Sequence, residues 1–167
     1  MDAVCNLLCQ IRPLLTHYGV VMSSDQHYER LIRMYQQAPI NRLYPSQLTL
    51  DKGHARIELA PDPGLCHAAG TLHGSVLFKL LDDAAYFAAA SRVQDQFLVT
   101  ASFHTLFMRP AKVGALHAVG RLISAGRQQL IAEASVYDER SRELARGQGC
   151  FSRSGIMLDE VTEQERS

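Results

Sequence analysis

Apolar positions along the chain recur with two periods, one helical and one alternating. In HYERLIRMYQQ, Tyr28, Leu31, Ile32 and Tyr35 fall on one side of a helix predicted over about residues 25–37. Ser23-Ser24-Asp25-Gln26 reads as its N-cap, and Pro39 ends it. QLTLDKGHARIELA alternates around Lys52-Gly53, which predicts two strands and a tight turn with Leu48, Leu50, Ile57 and Leu59 facing inward. An Ala-rich apolar helix follows, starting at His73-Gly74 and fading near Ser91. Then come FLVTASFHTLFMRPA, ALHAVGRLIS, QQLIAEASVYDE and ELARGQGCFSR, four β-rich runs at hairpin spacing, the first stopped by Pro110. Helix, two strands, long helix, four strands is the order expected of an α+β protein whose antiparallel sheet wraps a long central helix.

At 167 residues, with 47% apolar and 20% charged residues, the chain suits one domain with a substantial core. That domain is expected over residues 22–158. Residues 1–21, weakly amphipathic and broken by Pro13, form an N-terminal extension, and 159–167 form a charged, frayed tail. Seventeen basic and seventeen acidic residues cancel, so no nucleic-acid footprint is expected and an anionic ligand must be met by local Arg or Lys. Cys5, Cys9, Cys66 and Cys150 make no C-x-x-C pair, which argues against zinc and against a disulfide framework and for reduced thiols in the cytoplasm. No secretion signal or stretch of ~20 apolar residues is evident, so no membrane partner is expected. The histidines form no metal-ligand set, no cofactor is called for, and G-x-S-x-G is absent.

The chemistry concentrates in CHAAGTLHGSVLFKLLDDAA, residues 66–85. The first N–H groups of a helix lack intrahelical acceptors and carry partial positive charge, so a helix beginning at His73-Gly74 can hold a developing oxyanion. At ~100° per residue, Leu77, Leu80, Leu81, Ala84 and Ala88 form one apolar stripe. Asp83 lies four residues after Lys79, the spacing of an ordinary helix ion pair. Asp82 points away from the stripe, on the face of Ser75 and Phe78. Its burial would require cover from outside its own sheet, most simply a second subunit.

These features resemble the hotdog-fold thioesterases of the 4-hydroxybenzoyl-CoA and phenylacetate-pathway type. In that family a helix opens with H-G-G and carries an Asp nine residues after the His. His73, Gly74 and Asp82 keep the spacing, and the likeness covers about residues 48–153. The resemblance implies hydrolysis of an acyl-CoA at a site between two subunits of a homodimer or homotetramer. By the same resemblance the Gly74 N–H binds the thioester carbonyl, Asp82 is general base or nucleophile, and Thr100 on the next strand helps hold the water. It also puts Ser75 at the family's second Gly and Gly126-Arg127 at a turn near the CoA phosphates.

One position departs from the family. Six residues before the signature His these enzymes carry Asn or Gln, where this chain has His67, whose ring can donate the same hydrogen bond with a pH dependence. For His73 the expected role is structural, at the helix N-terminus, even within a working enzyme. Phe78, Tyr86 and Phe87 are the candidate acyl-pocket residues. His104 and His117 read as ordinary strand residues. Two other readings stand beside hydrolysis: an enoyl-thioester hydratase or dehydratase using His67 and Asp82, and a non-catalytic acyl-CoA-binding domain.

Overall fold

The long helix on which everything packs runs over Gly74–Ala90, one residue from each predicted end. We call it α2. His73 caps its N-terminus and Ser91 closes it. In the computed structural model residues 25–163 are described; the extension at 1–21, the cap residues Ser23 and Ser24, and 164–167 lie outside them.

The first helix, α1, spans Asp25–Gln37 and is followed by a 3-10 turn, Pro39–Arg42. The hairpin β1 (Ser46–Asp51) and β2 (His54–Leu59) turns at Lys52-Gly53 as predicted. After α2 come β3 (Gln96–Phe107), β4 (Leu116–Ala125), β5 (Gln129–Asp138) and β6 (Glu143–Met157). The charged tail opens as a short helix, α3 (Leu158–Glu163), with Leu158 buried.

The strands form one antiparallel sheet in the order β1-β2-β4-β5-β6-β3. The chain leaves the sheet after β2, runs through α2, and returns as β3 on the opposite edge, so the sheet wraps the helix. Registers place Leu48, Ile57, Ala118, Val136 and Ala145 in one row across five strands. All five are buried against the helix side. This is the hotdog architecture expected from the element order.

Helix and sheet approach closely because small residues meet. A Cβ on Gly120 of β4 would stand 1.9 Å from the Ala84 carbonyl oxygen and 2.9 Å from the Ala85 nitrogen. On β6 the space beside Gly147 and Gly149 is filled by the Phe103 ring, which reaches across from β3. The buried face of α2 is wider than the expected stripe, adding Val76, Ala85, Phe87, Ala89 and Ala90. Toward its C-terminal end α1 adds cover beside that of the sheet. Tyr35 packs edge-on to Phe87 at 5.2 Å. Buried His27 donates from Nε2 to the Ala90 carbonyl at 3.0 Å, a second donor beside the Val93 N–H at the end of α2.

Gly120→Ala tests this contact, since the added methyl meets backbone rather than a movable side chain. Its urea midpoint is expected to fall by the equivalent of about 3 kcal/mol or more. An unchanged midpoint would mean that helix and sheet do not touch there.

Candidate active site

The loop before α2 is ordered by its own polar groups. The His67 backbone N–H donates to the Thr71 carbonyl, and the His67 carbonyl accepts from the Gly70 N–H, both at 2.9 Å. Its ring is also engaged. Nδ1 accepts the Ala69 N–H at 3.0 Å, which leaves the proton on Nε2 to bond the Thr71 hydroxyl at 2.8 Å. The His73 ring is an N-cap: Nδ1 accepts the Ser75 N–H at 3.1 Å and lies 2.7 Å from the Ser75 hydroxyl. The Val76 N–H goes to the His73 carbonyl. The Gly74 N–H is thereby left without an acceptor among the described residues. It faces a hollow of about 270 Å³ lined by His67, Thr71, Leu77, Phe107 and Pro110.

Two turns along α2, Asp82 lies in a different cavity, of about 340 Å³. Its walls come from three places: Met34, Tyr35 and Ile40 from the N-terminal segment, Tyr86 and Phe87 from α2, and Phe97 to Thr100 from β3. The Thr100 hydroxyl donates to Asp82 Oδ1 at 3.0 Å. The β3–β6 register shifts between Thr100 and Ser102. That irregularity lets both Thr100 and Phe103 turn toward α2, which strict alternation would forbid. Burial pushes the Asp82 carboxyl above the ordinary carboxylate range, opposed by the Thr100 hydrogen bond and the charge of Lys79. Burial raises Asp83 as well, against the ion pair it makes with Lys79.

The structure thus brings Asp82 and Thr100 together, and separately His67, His73, Gly74 and Ser75 around the helix start. Phe78 does not line the Asp82 cavity. It is half-exposed and packs edge-on against Phe103 at 5.6 Å. Gly126 and Arg127 form the exposed β4–β5 turn, where Arg127 borders a third, polar groove with Gln128 and Arg153. Asn41, Tyr35, Met34 and Ile40 at the Asp82 cavity were not expected from sequence. Nothing in their spacing ties the first helix to the second, and only a buried Asn closing a 3-10 turn hints at a role.

With this geometry in view, the comparisons with known proteins agree. The sequence profile of the Thioesterase superfamily matches residues 69–145. A protein of Saccharolobus solfataricus named as an esterase, SSO1253, is 31% identical over 102 residues, 61% of this chain and 68% of its own length. The PaaI protein of the E. coli phenylacetic acid degradation operon shares the fold at TM-score 0.74 and 21% identity, over 80% of this chain and 97% of its own. PA5202 of Pseudomonas aeruginosa matches at TM-score 0.67 and 28% identity, over 72% of this chain and 98% of its own. The fold is a PaaI-like hotdog. The chain belongs to the thioesterase superfamily.

The N-cap geometry separates structural from chemical use of His73. His73→Ala is expected to cost about 1 kcal/mol in chemical denaturation and His73→Asn, which can cap in its place, far less. Equal losses in both variants would argue that the ring does more than cap.

Proposed function

We propose that the protein hydrolyses an acyl-CoA to the free acid and CoA thiol, using the Gly74 N–H as oxyanion donor and Asp82 as general base or nucleophile. The observation that carries this reading is Asp82 itself: a desolvated carboxylate, oriented by a hydroxyl, at the wall of a mainly apolar cavity.

In the general-base form, Asp82 takes a proton from water as the water oxygen bonds to the thioester carbonyl carbon. Negative charge passes to the carbonyl oxygen and is held at the Gly74 N–H, a type of contact whose loss costs ~3 kcal/mol in related chemistry. The carbonyl re-forms, the C–S bond breaks, and the thiolate leaves, the proton ending on sulfur. A thioester is already an activated acyl group, so the base and the oxyanion donor suffice. Thr100 keeps the carboxylate in one orientation. The acyl group occupies the cavity walled by Tyr86, Phe87, Phe97 and Val99. Arg127, with Arg153 beside it, offers the local cationic charge a CoA phosphate needs.

Gly74 and Asp82 are eight residues apart on one helix, about 12 Å along its axis. One carbonyl cannot touch both, so the proposed site pairs the Asp82 of one copy with the Gly74 of another. The sheet edge at β3, bearing exposed Val99, Leu106 and Phe107, is the natural seam of the homodimer, with a tetramer as a further step. Such a site fits a cytoplasmic enzyme, as the cysteine pattern suggests. The hydratase reading is weaker, since both ring nitrogens of His67 are committed to its own loop. Among the described residues no helix is long and apolar enough to cross a membrane.

Free-thiol release from short, long and aromatic acyl-CoAs tests the proposal. Wild type is expected to turn over at least one class, and Asp82→Asn to lose at least about 100-fold with the oligomer intact. Because the Asp82 carboxyl is raised and must be charged to act, kcat/KM should fall as pH drops through a midpoint above that of an ordinary Asp. No thiol release from wild type would overturn the reading, and turnover indifferent to Asp82→Asn would remove Asp82 from it.

A further inference from the structure

Asp82 is not alone on its face of α2. Lys79, one turn before it, forms an ion pair with Asp83 and donates to Asn41 Oδ1 at 2.8 Å. Asn41 is buried on the 3-10 turn and is fixed in its own place by donating from Nδ2 to the Tyr35 carbonyl of α1 at 2.5 Å. The ammonium also lies over two aromatic rings, 5.4 Å from the centre of Tyr35 and 5.9 Å from that of Tyr44. The Lys79 and Asp83 side chains are only 18% and 17% exposed. Lys79, Asn41, Asp82 and Asp83 all border the same cavity. A bare helix ion pair on a surface has none of this support and contributes little.

We propose that Lys79 is a positioning residue for Asp82: a cation clamped by Asn41 and Asp83 so that the charge on the neighbouring carboxylate depends on docking of the N-terminal helix and its turn. The inference takes from the proposed function only the importance of Asp82. The groups around that carboxylate set the signs. On α2 itself stand Lys79, Asp83 and the Tyr86 phenol, whose ionisation is pushed up by burial. The α1 side contributes the Tyr35 phenol, also raised by burial, and the neutral Asn41; β3 contributes the Thr100 hydroxyl. Among the described residues, Lys79 is the one cation in the set. Removing its charge must disfavour the Asp82 anion. Removing the Asp83 charge must favour it, by ending a like-charge repulsion while Asn41 keeps Lys79 in place.

The experiment is a carbon-13 carboxyl NMR titration of the full chain, with the Asp82 resonance identified by its loss in Asp82→Asn. Lys79→Gln, which keeps a donor for Asn41, is expected to raise the Asp82 midpoint by about one pH unit, and Asp83→Asn to lower it. Asn41→Leu, which frees the lysine without discharging it, is expected to raise it by less than Lys79→Gln. Thermal melting confirms that each variant is folded, and Asp83→Asn alone still decides the sign if Lys79→Gln fails to fold. Midpoints unmoved, or moved the same way by Lys79→Gln and Asp83→Asn, would overturn the proposal. An unmoved midpoint in Asn41→Leu would overturn the clamp. The titration needs no turnover, so absence of thiol release from wild type would sink the hydrolysis reading while leaving these shifts to be read on their own.

Discussion

Taking a carboxylate out of water is costly, and the arrangement around α2 follows from doing so twice in adjacent residues. Asp82 and Asp83 lie on the flank of a helix whose other faces are buried by the sheet and by α1. Burial there raises both carboxyls above the ordinary range. For Asp83 the compensation is direct, an ion pair within one helical turn. For Asp82 it is partial: one hydroxyl from β3 and the field of a lysine already engaged elsewhere. Partial compensation is what a proton acceptor near neutral pH requires. A fully satisfied carboxylate would be too weak a base, and an unsatisfied one would stay protonated.

The same helix sets the scale of the proposed site. Its N-terminus offers a Gly74 N–H with no acceptor among the described residues, and its middle offers the carboxylate, but the rise of the helix keeps them ~12 Å apart. The two groups border different hollows, so each chain would carry two halves of the proposed site. The close helix–sheet contact at Gly120 holds the back of α2 against β4. The fixed rise of the helix is the reason the proposed site draws on a second copy.

Much of this was legible in the sequence because it depends on local chemistry. The hairpin at Lys52-Gly53, the start of α2 at Gly74 and the four final strands follow from turn residues and periodicity. Asp82 stood out because helical geometry put it off the apolar stripe, and the Asp83–Lys79 pair because its spacing is that of a helix ion pair. What stayed hidden depends on contacts between distant segments. Asn41 meets Lys79 across 38 positions of chain, and no local pattern encodes that meeting. Phe78 looked like a pocket residue because it shares a face with Asp82. In the fold that face is divided, and Phe103, drawn in by the space at Gly147 and Gly149, occupies the part beside Phe78. His67 read as a departure from the family's Asn or Gln, but its ring proved to be committed to holding its own loop.

The N-terminal helix has two opposing influences on the proposed base. By covering the cavity with Met34, Tyr35 and Ile40 it removes water from Asp82, which favours the neutral acid. By fixing Asn41 it holds Lys79 in place, which favours the anion. A small outward movement of α1 relaxes both, and the two changes in the carboxylate's proton affinity have opposite sign. The apolar contacts that the same residues would offer an acyl group in the proposed site have no such offset. The proposed base therefore feels docking of the covering helix as the difference of two opposed effects, while fit to an acyl group in the proposed site would feel it directly.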